Sequence, residues 1–411
     1  MRITQVSGYA VCMAVMFIFT NALFAESTFV TNIIDNDGDV GRYCSIAVDS
    51  NQNPVIAYRS DSNNCIKFAT IEDTNYNIEI VPDTAGSGYG ISLAVDSCGE
   101  FGISHSARCY LMFSFKTSWF DWQATVAADD YCYGATALAF SENDVPHIAY
   151  IARSDVKHAT YDIQTNSWVT QPITTVHFSY HFPSIAVGSS DQIIVAFEQG
   201  GGLICVAINS GLGWSFLPTF EGDMPSMALD AAEQPAVAYI REDELWYAAY
   251  TPIGWIHTVV DDGSEGPINN NIVPSLAFDN NGNPAIAYLR DGQLTYAANH
   301  AGWLISSVDE SDADIQHVDL VFDSNNTPFI AFYDGSSNWD GTSLKLAGIG
   351  LTATCVADLN NDGRIDFLDY AIFANAWCAF GSYNLADLDG NKSVDSNDLM
   401  IFCSYWLWPW P

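Results

Sequence analysis

The sequence predicts two structural parts: an all-β seven-bladed propeller over residues 26–350, followed by a small α-helical domain over residues 351–411. Two observations lead to this prediction. A two-strand motif recurs seven times in the longer part, and a loop-plus-helix unit occurs twice in the shorter one. Repeats of about 40 to 50 residues with several short strands are typical of propellers, in which each repeat forms one sheet.

The recurring motif reads Ser-aliphatic-Ala-aliphatic-Asp, then a polar turn, then Pro-x-Ile-Ala-Tyr. It first runs from Ser45 to Tyr58, and its aspartate position recurs at 49, 96, 141, 188, 230, 279 and 323, at intervals of 42 to 49 residues. The turn is rich in Asp, Asn, Gly and Pro, as in residues 279–284, and this composition favours a hairpin. A β-sandwich is the alternative fold, but it would not need seven similar repeats.

Two more strands follow each motif. A third begins at positions such as Cys65 and Leu294, and a fourth carries a tryptophan, as at Trp122 and Trp303. The last repeat ends near residue 351 without a fourth strand, while Thr28–Ile34 stands unassigned before the first repeat. We therefore expect Thr28–Ile34 to complete the last blade and to close the ring, which covers an otherwise open sheet edge.

Residues 1–25 read as an export signal. Arg2 precedes a short apolar run, and the small residue Ala25 stands directly before a plausible cleavage site. The run is too short for a comfortable membrane span, so we expect a secreted or cell-surface protein with no membrane span after cleavage. The net charge of −36 argues against nucleic acid and anionic membranes as partners.

The two C-terminal units lie 29 residues apart and offer oxygen ligands at alternate loop positions. Ca²⁺ is a hard cation that takes six to eight oxygens, and a tight loop can supply them from positions 1, 3, 5, 7, 9 and 12. We therefore expect two bound Ca²⁺ ions. The candidate ligands are Asp358, Asn360, Asp362, the Arg364 carbonyl, Asp366 and Asp369 in the first loop, and Asp387, Asp389, Asn391, the Ser393 carbonyl, Asp395 and Asp398 in the second.

Paired loop–helix units with Asp at position 12 resemble the dockerin type I domain, and the resemblance covers about residues 355–407. It implies a domain that folds on Ca²⁺ and binds a cohesin-like module of a scaffold or cell surface. The chain departs from that pattern at Phe367–Leu368, where the family often has Ser or Thr. It also departs at Lys392, which stands where the first loop has Gly363.

The longer part resembles bacterial extracellular seven-bladed propellers of the sialidase-like kind. This resemblance implies the fold and not the sialidase activity, because the motif Ser-x-Asp-x-Gly-x-x-Trp is not present in order.

Five of the eight arginines follow a second strand, and a propeller would place them on one rim. Arginine binds carboxylate or sulfate bidentately, so the pattern suggests an anionic glycan. The alternative is that they pair with nearby acids, such as Asp61 and Asp291, and fasten neighbouring blades. The five are Arg59, Arg108, Arg153, Arg241 and Arg290.

The sequence favours a carbohydrate- or protein-binding module in extracellular polysaccharide processing. The alternative is a polysaccharide-degrading enzyme, a lyase or glycoside hydrolase. Its candidate catalytic residues are His105, Tyr180 and His181, because a His/Tyr/Arg cluster could abstract a proton next to a uronate. A purely structural surface protein is the third possibility.

Overall fold

The structure is a computed structural model, and it describes residues 29–72, 75–175, 183–269, 271–309, 314–335, 342–349, 359, 367–377, 386, 388 and 393–404. Within these residues the chain forms seven antiparallel sheets, each built around four strands. The predicted seven-bladed propeller with four strands per repeat is therefore confirmed.

The first three blades each contain four consecutive strands. These strands are β2 (Val40–Val48), β3 (Pro54–Ser60), β4 (Cys65–Glu72) and β5 (Asn75–Ile80) in blade 1; β6 (Ser87–Val95), β7 (Phe101–Ala107), β8 (Tyr110–Lys116) and β9 (Gln123–Ala128) in blade 2; and β10 (Cys132–Phe140), β11 (Pro146–Ala152), β12 (Asp155–Asp162) and β13 (Ser167–Thr175) in blade 3.

The other blades follow the same order, and blade 4 has one additional short strand. The strands are β14 (Ser184–Val187), β15 (Ile193–Gln199), β16 (Leu203–Asn209), β17 (Trp214–Phe216) and the additional β18 (Phe220–Glu221) in blade 4; β19 (Asp223–Leu229), β20 (Pro235–Arg241), β21 (Glu244–Thr251) and β22 (Gly254–Asp261) in blade 5; β23 (Ser275–Phe278), β24 (Pro284–Arg290), β25 (Gln293–Asn299) and β26 (Trp303–Asp309) in blade 6; and β27 (Ile315–Phe322), β28 (Pro328–Gly335) and β29 (Thr342–Ile349) in blade 7.

The N-terminal strand β1 (Phe29–Asp35) supplies the fourth strand of blade 7. It pairs antiparallel with β29, from Phe29 opposite Ile349 to Asp35 opposite Leu344. The predicted closure is confirmed within the described residues, and the strand extends one residue past Ile34. The first strands of neighbouring blades contact one another all the way around, including β2 with β27, so the ring is closed.

The serine that opens the repeat motif joins each blade to the next. The Leu93 N–H of blade 2 donates to Ser45 Oγ of blade 1 at 3.1 Å. Equivalent bonds of 2.9 to 3.1 Å occur at six of the seven junctions. The donors and acceptors are Leu93 to Ser45, Leu138 to Ser92, Met227 to Ser184, Leu276 to Ser226, Leu320 to Ser275 and Ile46 to Asp319.

Asp319 takes the place of the serine in blade 7 and bonds to both neighbouring blades. Its Oδ2 accepts from the Ile46 N–H at 2.9 Å and from the Ser45 hydroxyl at 3.1 Å. Its Oδ1 accepts from the Ser275 hydroxyl at 2.9 Å and from the Leu320 N–H at 3.1 Å. Burial raises the pKa of this carboxyl, and the hydrogen bonds oppose that rise. One carboxylate therefore joins blades 6, 7 and 1.

The seventh junction, between blades 3 and 4, lacks this bond. Ala137 stands at the serine position of blade 3, so it offers no hydroxyl to the Ile185 N–H of blade 4. The ring surrounds an axial cavity of about 250 Å³, to which the first strands of all seven blades contribute.

The aspartate of the motif closes the turn between the first and second strands. The Asn281 and Asn283 N–H groups donate to Asp279 Oδ1 at 2.9 and 2.7 Å, and Gly282 has a φ of +79°. The side chain thus replaces backbone partners inside the turn. The same pair of bonds forms at Asp49, Asp96, Asp230 and Asp323.

In the C-terminal part, a helix follows each predicted loop: α1 (Phe367–Asn375) and α2 (Ser396–Ser404). The Phe373 and Phe402 rings lie 5.1 Å apart, as expected from their matching positions in the two units. Ile372, next to Phe373 on α1, is partly exposed. The small core consists of Leu359, Phe373, Ala386, Val394 and Phe402. No helix in the described ranges combines the length and the apolar character needed to cross a membrane.

Candidate functional site

One rim of the propeller carries both the turns after the second strands and the connections into each blade. Backbone hydrogen bonds hold the two together: the Asp61 N–H donates to the Asp39 carbonyl at 2.8 Å, and the Cys132 N–H donates to the Cys109 carbonyl at 2.9 Å. This geometry brings the predicted arginines close to the acidic connections.

Three of the five predicted arginines form ion pairs on this rim. Arg59 is buried, with its Nε 2.5 Å from Asp61 Oδ1. Arg290 Nη1 lies 3.2 Å from Asp261 Oδ2 and 3.3 Å from Glu265. Arg241 Nη2 lies 3.0 Å from Glu221. All three thus pair with acids, as in the alternative that the sequence left open, but only Arg241 and Arg290 fasten neighbouring blades, because Asp61 belongs to the same blade as Arg59.

The tyrosine that ends the motif donates a hydrogen bond to an aspartate at three of the blade junctions. The sequence analysis did not predict these aspartates. Asp35, on β1 of blade 7, accepts from the Tyr58 hydroxyl at 2.7 Å and from Lys67 Nζ at 2.8 Å. Between blades 2 and 3, Asp130 accepts from Tyr150 and from Lys157. Between blades 5 and 6, Asp261 accepts from Tyr288 and Arg290. Burial, together with the neighbouring carboxylate, raises the pKa of Tyr58, Tyr150 and Tyr288.

The other two arginines, Arg108 and Arg153, are exposed and lie near the junction of blades 2 and 3. Arg108 lines a cavity of about 180 Å³ together with Cys109, Tyr110, Asp129 and Tyr131. Arg153 Cζ lies 4.8 Å from the centre of the Tyr131 ring, a distance that suits a cation–π contact. Among the described residues, neither guanidinium forms an ion pair. The five predicted arginines therefore divide into three that pair with acids and two that are exposed.

The backbone at this cavity is strained. Arg108, Cys109, Tyr131 and Arg153 have φ values of 48°, 77°, 59° and 58°, in the left-handed region that favours glycine. Each such residue costs on the order of 1–3 kcal/mol. Hairpin turns with this geometry usually contain Asn or Gly, so the sequence patterns used above gave no sign of this site.

His105 does not lie on the rim, which corrects the sequence prediction. It is fully buried inside blade 2, and its Nε2 lies 3.1 Å from Ser114 Oγ. The position corresponds to Tyr58 and Tyr150, whose side chains also point into the protein. Burial lowers the pKa of His105 to about 4, so this imidazole is neutral at pH 7. Tyr180 and His181 lie outside the described residues.

The buried Glu198 and the partly exposed Asp223 form a carboxyl pair at the junction of blades 4 and 5. Burial raises the pKa of Glu198 to about 7, and the charge of Asp223 and a hydrogen bond to it act in the same direction. A glutamic acid that keeps its proton near neutral pH has the character of a general acid. Sequence reasoning did not single it out among the 49 acidic residues.

In the C-terminal part, Asp369 and Asp398 are fully buried at position 12 of the two predicted loops. Asp369 Oδ1 accepts from the Leu359 N–H at 2.8 Å, and Asp398 Oδ1 accepts from the Leu388 N–H at 2.6 Å. Each carboxylate thus faces the backbone of its own loop, an orientation that fits an oxygen ligand at position 12.

Eight of the twelve candidate calcium ligands lie outside the described residues, and the described ones are Asp369, Ser393, Asp395 and Asp398. Within the described part of the chain, no three His, Cys, Asp or Glu side chains cluster as a metal site.

No model of a known protein family matches the sequence, and no curated protein matches it. Among solved structures, a catalytically inactive virginiamycin B lyase from Staphylococcus aureus is similar, with a TM-score of 0.53 and 13% identity over 78% of this chain and 99% of that chain. The six-bladed fucose-binding lectin of Aleuria aurantia has a TM-score of 0.48 and 12% identity over 64% of this chain and 94% of that chain. At these identities the likeness to the lyase shows the propeller fold alone.

Two buried histidines fill the junction of blades 3 and 4, where the serine bond is absent. His147 Nδ1 and His158 Nε2 lie 3.0 Å apart, and the His158 ring contacts Trp214 of blade 4 edge to face at 5.7 Å. Burial lowers the pKa of His147 to about 4, although the nearby Asp191 acts in the opposite direction. Burial lowers the pKa of His158 to about 3, and the charge of His147 adds to this effect.

The lowered pKa values of His147 and His158 predict that the protein loses stability in acid. In the unfolded chain they would titrate near 6.5, so between pH 6.5 and 4 the unfolded state binds more protons. The free energy of unfolding therefore falls as the pH falls through this window, by up to about 1.4 kcal/mol per pH unit for each histidine. Urea unfolding at several pH values should show a shallower slope for His158→Gln than for the parent chain. The exposed His300 provides the control, because His300→Gln should keep the parent slope, and an unchanged slope in His158→Gln would contradict the account.

Proposed function

We propose that this chain is an exported carbohydrate-binding propeller attached to its place of action by a calcium-binding, dockerin-like C-terminal domain. The observation that carries the proposal is the repeated burial of Asp369 and Asp398 against their own loops. Both carboxylates accept a hydrogen bond from the second residue of their own loop, and this places a charged oxygen ligand where a calcium loop of twelve residues uses one, at position 12.

The remaining loop oxygens complete the proposed calcium sites, with Asp358 to Asp369 in one site and Asp387 to Asp398 in the other. When bound, Ca²⁺ would neutralise these carboxylates and hold the loop oxygens around one point. The core that joins Phe373 to Phe402 would then present the two helices as one unit. A cohesin-like module of a scaffold or cell surface is the proposed partner, and the signal-like segment before Ala25 supports export.

Binding, rather than catalysis, is the proposed role of the propeller. Exposed tyrosines and arginines stand together on the rim at Tyr110, Tyr131 and Arg108, and such side chains combine apolar faces with hydrogen-bond donors that suit a sugar. Glu198 favours the second candidate, a polysaccharide lyase or glycoside hydrolase, because its raised pKa would let it donate a proton.

Calcium binding is tested by titration calorimetry on the full chain after chelator treatment. We expect two tight sites, and one site in either Asp369→Asn or Asp398→Asn, because an amide replaces a charged ligand of nearly the same shape. Asp262→Asn, an exposed change on the propeller, should keep both sites. A stoichiometry that is the same in all four proteins would remove the calcium proposal.

Carbohydrate binding is tested by electrophoresis of the full chain through gels that contain neutral or uronate-rich polysaccharides. We expect slower migration in at least one polysaccharide, with no release of reducing ends or unsaturated sugars. If product does form and is lost in Glu198→Gln, the enzyme is the correct alternative. Unchanged migration in every gel would contradict both carbohydrate functions.

A further inference from the structure

The cavity at the junction of blades 2 and 3 differs from the rest of the rim in its free positive charge. Arg59, Arg241 and Arg290 pair with acids, whereas Arg108 and Arg153 have no acid partner among the described residues. The chain has only 13 Lys and Arg against 49 acidic residues. Two exposed guanidiniums without an ion-pair partner in the described part of the chain therefore set this cavity apart from the rest of the rim.

Three acids lie near this cavity, and their described polar contacts do not include Arg108 or Arg153. Asp130 accepts from Lys157 Nζ at 2.5 Å and from the Tyr150 hydroxyl at 3.0 Å. Asp155 Oδ1 accepts from the Thr175 hydroxyl at 2.9 Å. Asp129 is exposed and lines the cavity. Neither Asp129 nor Asp155 forms an ion pair with Arg108 or Arg153 among the described residues, so both guanidiniums keep donors that can bind an anionic group with hydrogen-bond acceptors.

The exposed tyrosine rings favour a ligand that has a ring with an apolar face to pack against them. Tyr110 is 39% exposed and Tyr131 is 48% exposed, and both line the cavity. Because Arg153 stacks on Tyr131, a group that packs on the tyrosine comes within reach of a guanidinium. A ligand that combines a pyranose ring with an acid matches both features.

The backbone keeps these side chains in place. The Cys132 N–H of blade 3 donates to the Cys109 carbonyl of blade 2 at 2.9 Å, and the Arg153 N–H donates to the Tyr131 carbonyl at 3.4 Å. The left-handed φ values of Arg108, Tyr131 and Arg153 occur where two-residue turns could use glycine without strain.

We propose that this cavity, lined by Arg108, Tyr110 and Tyr131 and flanked by Arg153 on the Tyr131 ring, binds a uronic acid residue of an acidic polysaccharide. The planar guanidinium of Arg108 binds the sugar carboxylate as a fork, and the tyrosine rings contact the apolar face of the pyranose. This inference rests on the proposed carbohydrate-binding function and names its ligand class and its site.

The test uses titration calorimetry on the full chain with trigalacturonate and with the same trisaccharide after reduction of its carboxyl groups to alcohols. We expect the parent protein to prefer the acidic form by at least tenfold. The double variant Arg108→Gln, Arg153→Gln should lose at least tenfold in affinity for trigalacturonate and lose the preference. Arg241→Gln, a change to an ion-paired arginine on another blade, should keep both, and circular dichroism should show that all three proteins are folded.

The outcomes separate this inference from the function on which it rests. Equal affinity for the acidic and the reduced trisaccharide would overturn the uronate site while carbohydrate binding stands. Unchanged affinity in the double variant would overturn the assignment to this cavity. If neither trisaccharide binds and no polysaccharide slows the protein in a gel, both the site and the proposed function fail.

Discussion

The structure depends on a ring of hydrogen bonds that runs around the axis from blade to blade. A first strand has one edge that no strand of its own sheet covers, and its backbone N–H groups would be costly to bury without acceptors. The serine of five repeats supplies the acceptor for the next blade, as Ser45 does for Leu93. Asp319 completes the circuit where strand β1 joins the last blade, because a carboxylate accepts from both sides at once.

Much of this fold could be predicted because each sequence repeat corresponds to one blade. The recurring motif indicated the strands, the Asp and Asn-rich turns indicated the hairpins, and the missing fourth strand indicated closure by residues 28–34. The partners of the motif residues could not be predicted, since they come from neighbouring blades. Tyr58 ends a motif that is visible in the sequence, but its acceptor Asp35 lies 23 residues earlier and in a different blade.

The site residues were harder to predict from the sequence than the fold, because arginines at similar places in the repeat do not occupy the same place on the rim. Arg59 lies within its strand and is buried, whereas Arg108 stands at the tip of a turn and is exposed. A shift of two residues at the end of a hairpin decides between an ion pair and a free charge. His105 shows the same limit, since a residue at a strand end can point into the sheet. For Asp369 and Asp398, regular spacing did indicate matching environments.

The hydrogen bonds across the blade junctions should protect the donating backbone amides from hydrogen exchange. NMR can measure this protection residue by residue. The amides of Ile46, Leu93, Leu138, Met227, Leu276 and Leu320 donate across blade junctions, so they should exchange only on global unfolding. The Ile185 amide faces Ala137 instead of a serine, and it should exchange faster than the other six. Exchange of all seven amides at one fast rate would contradict the account, because the blades would then be held together without this ring.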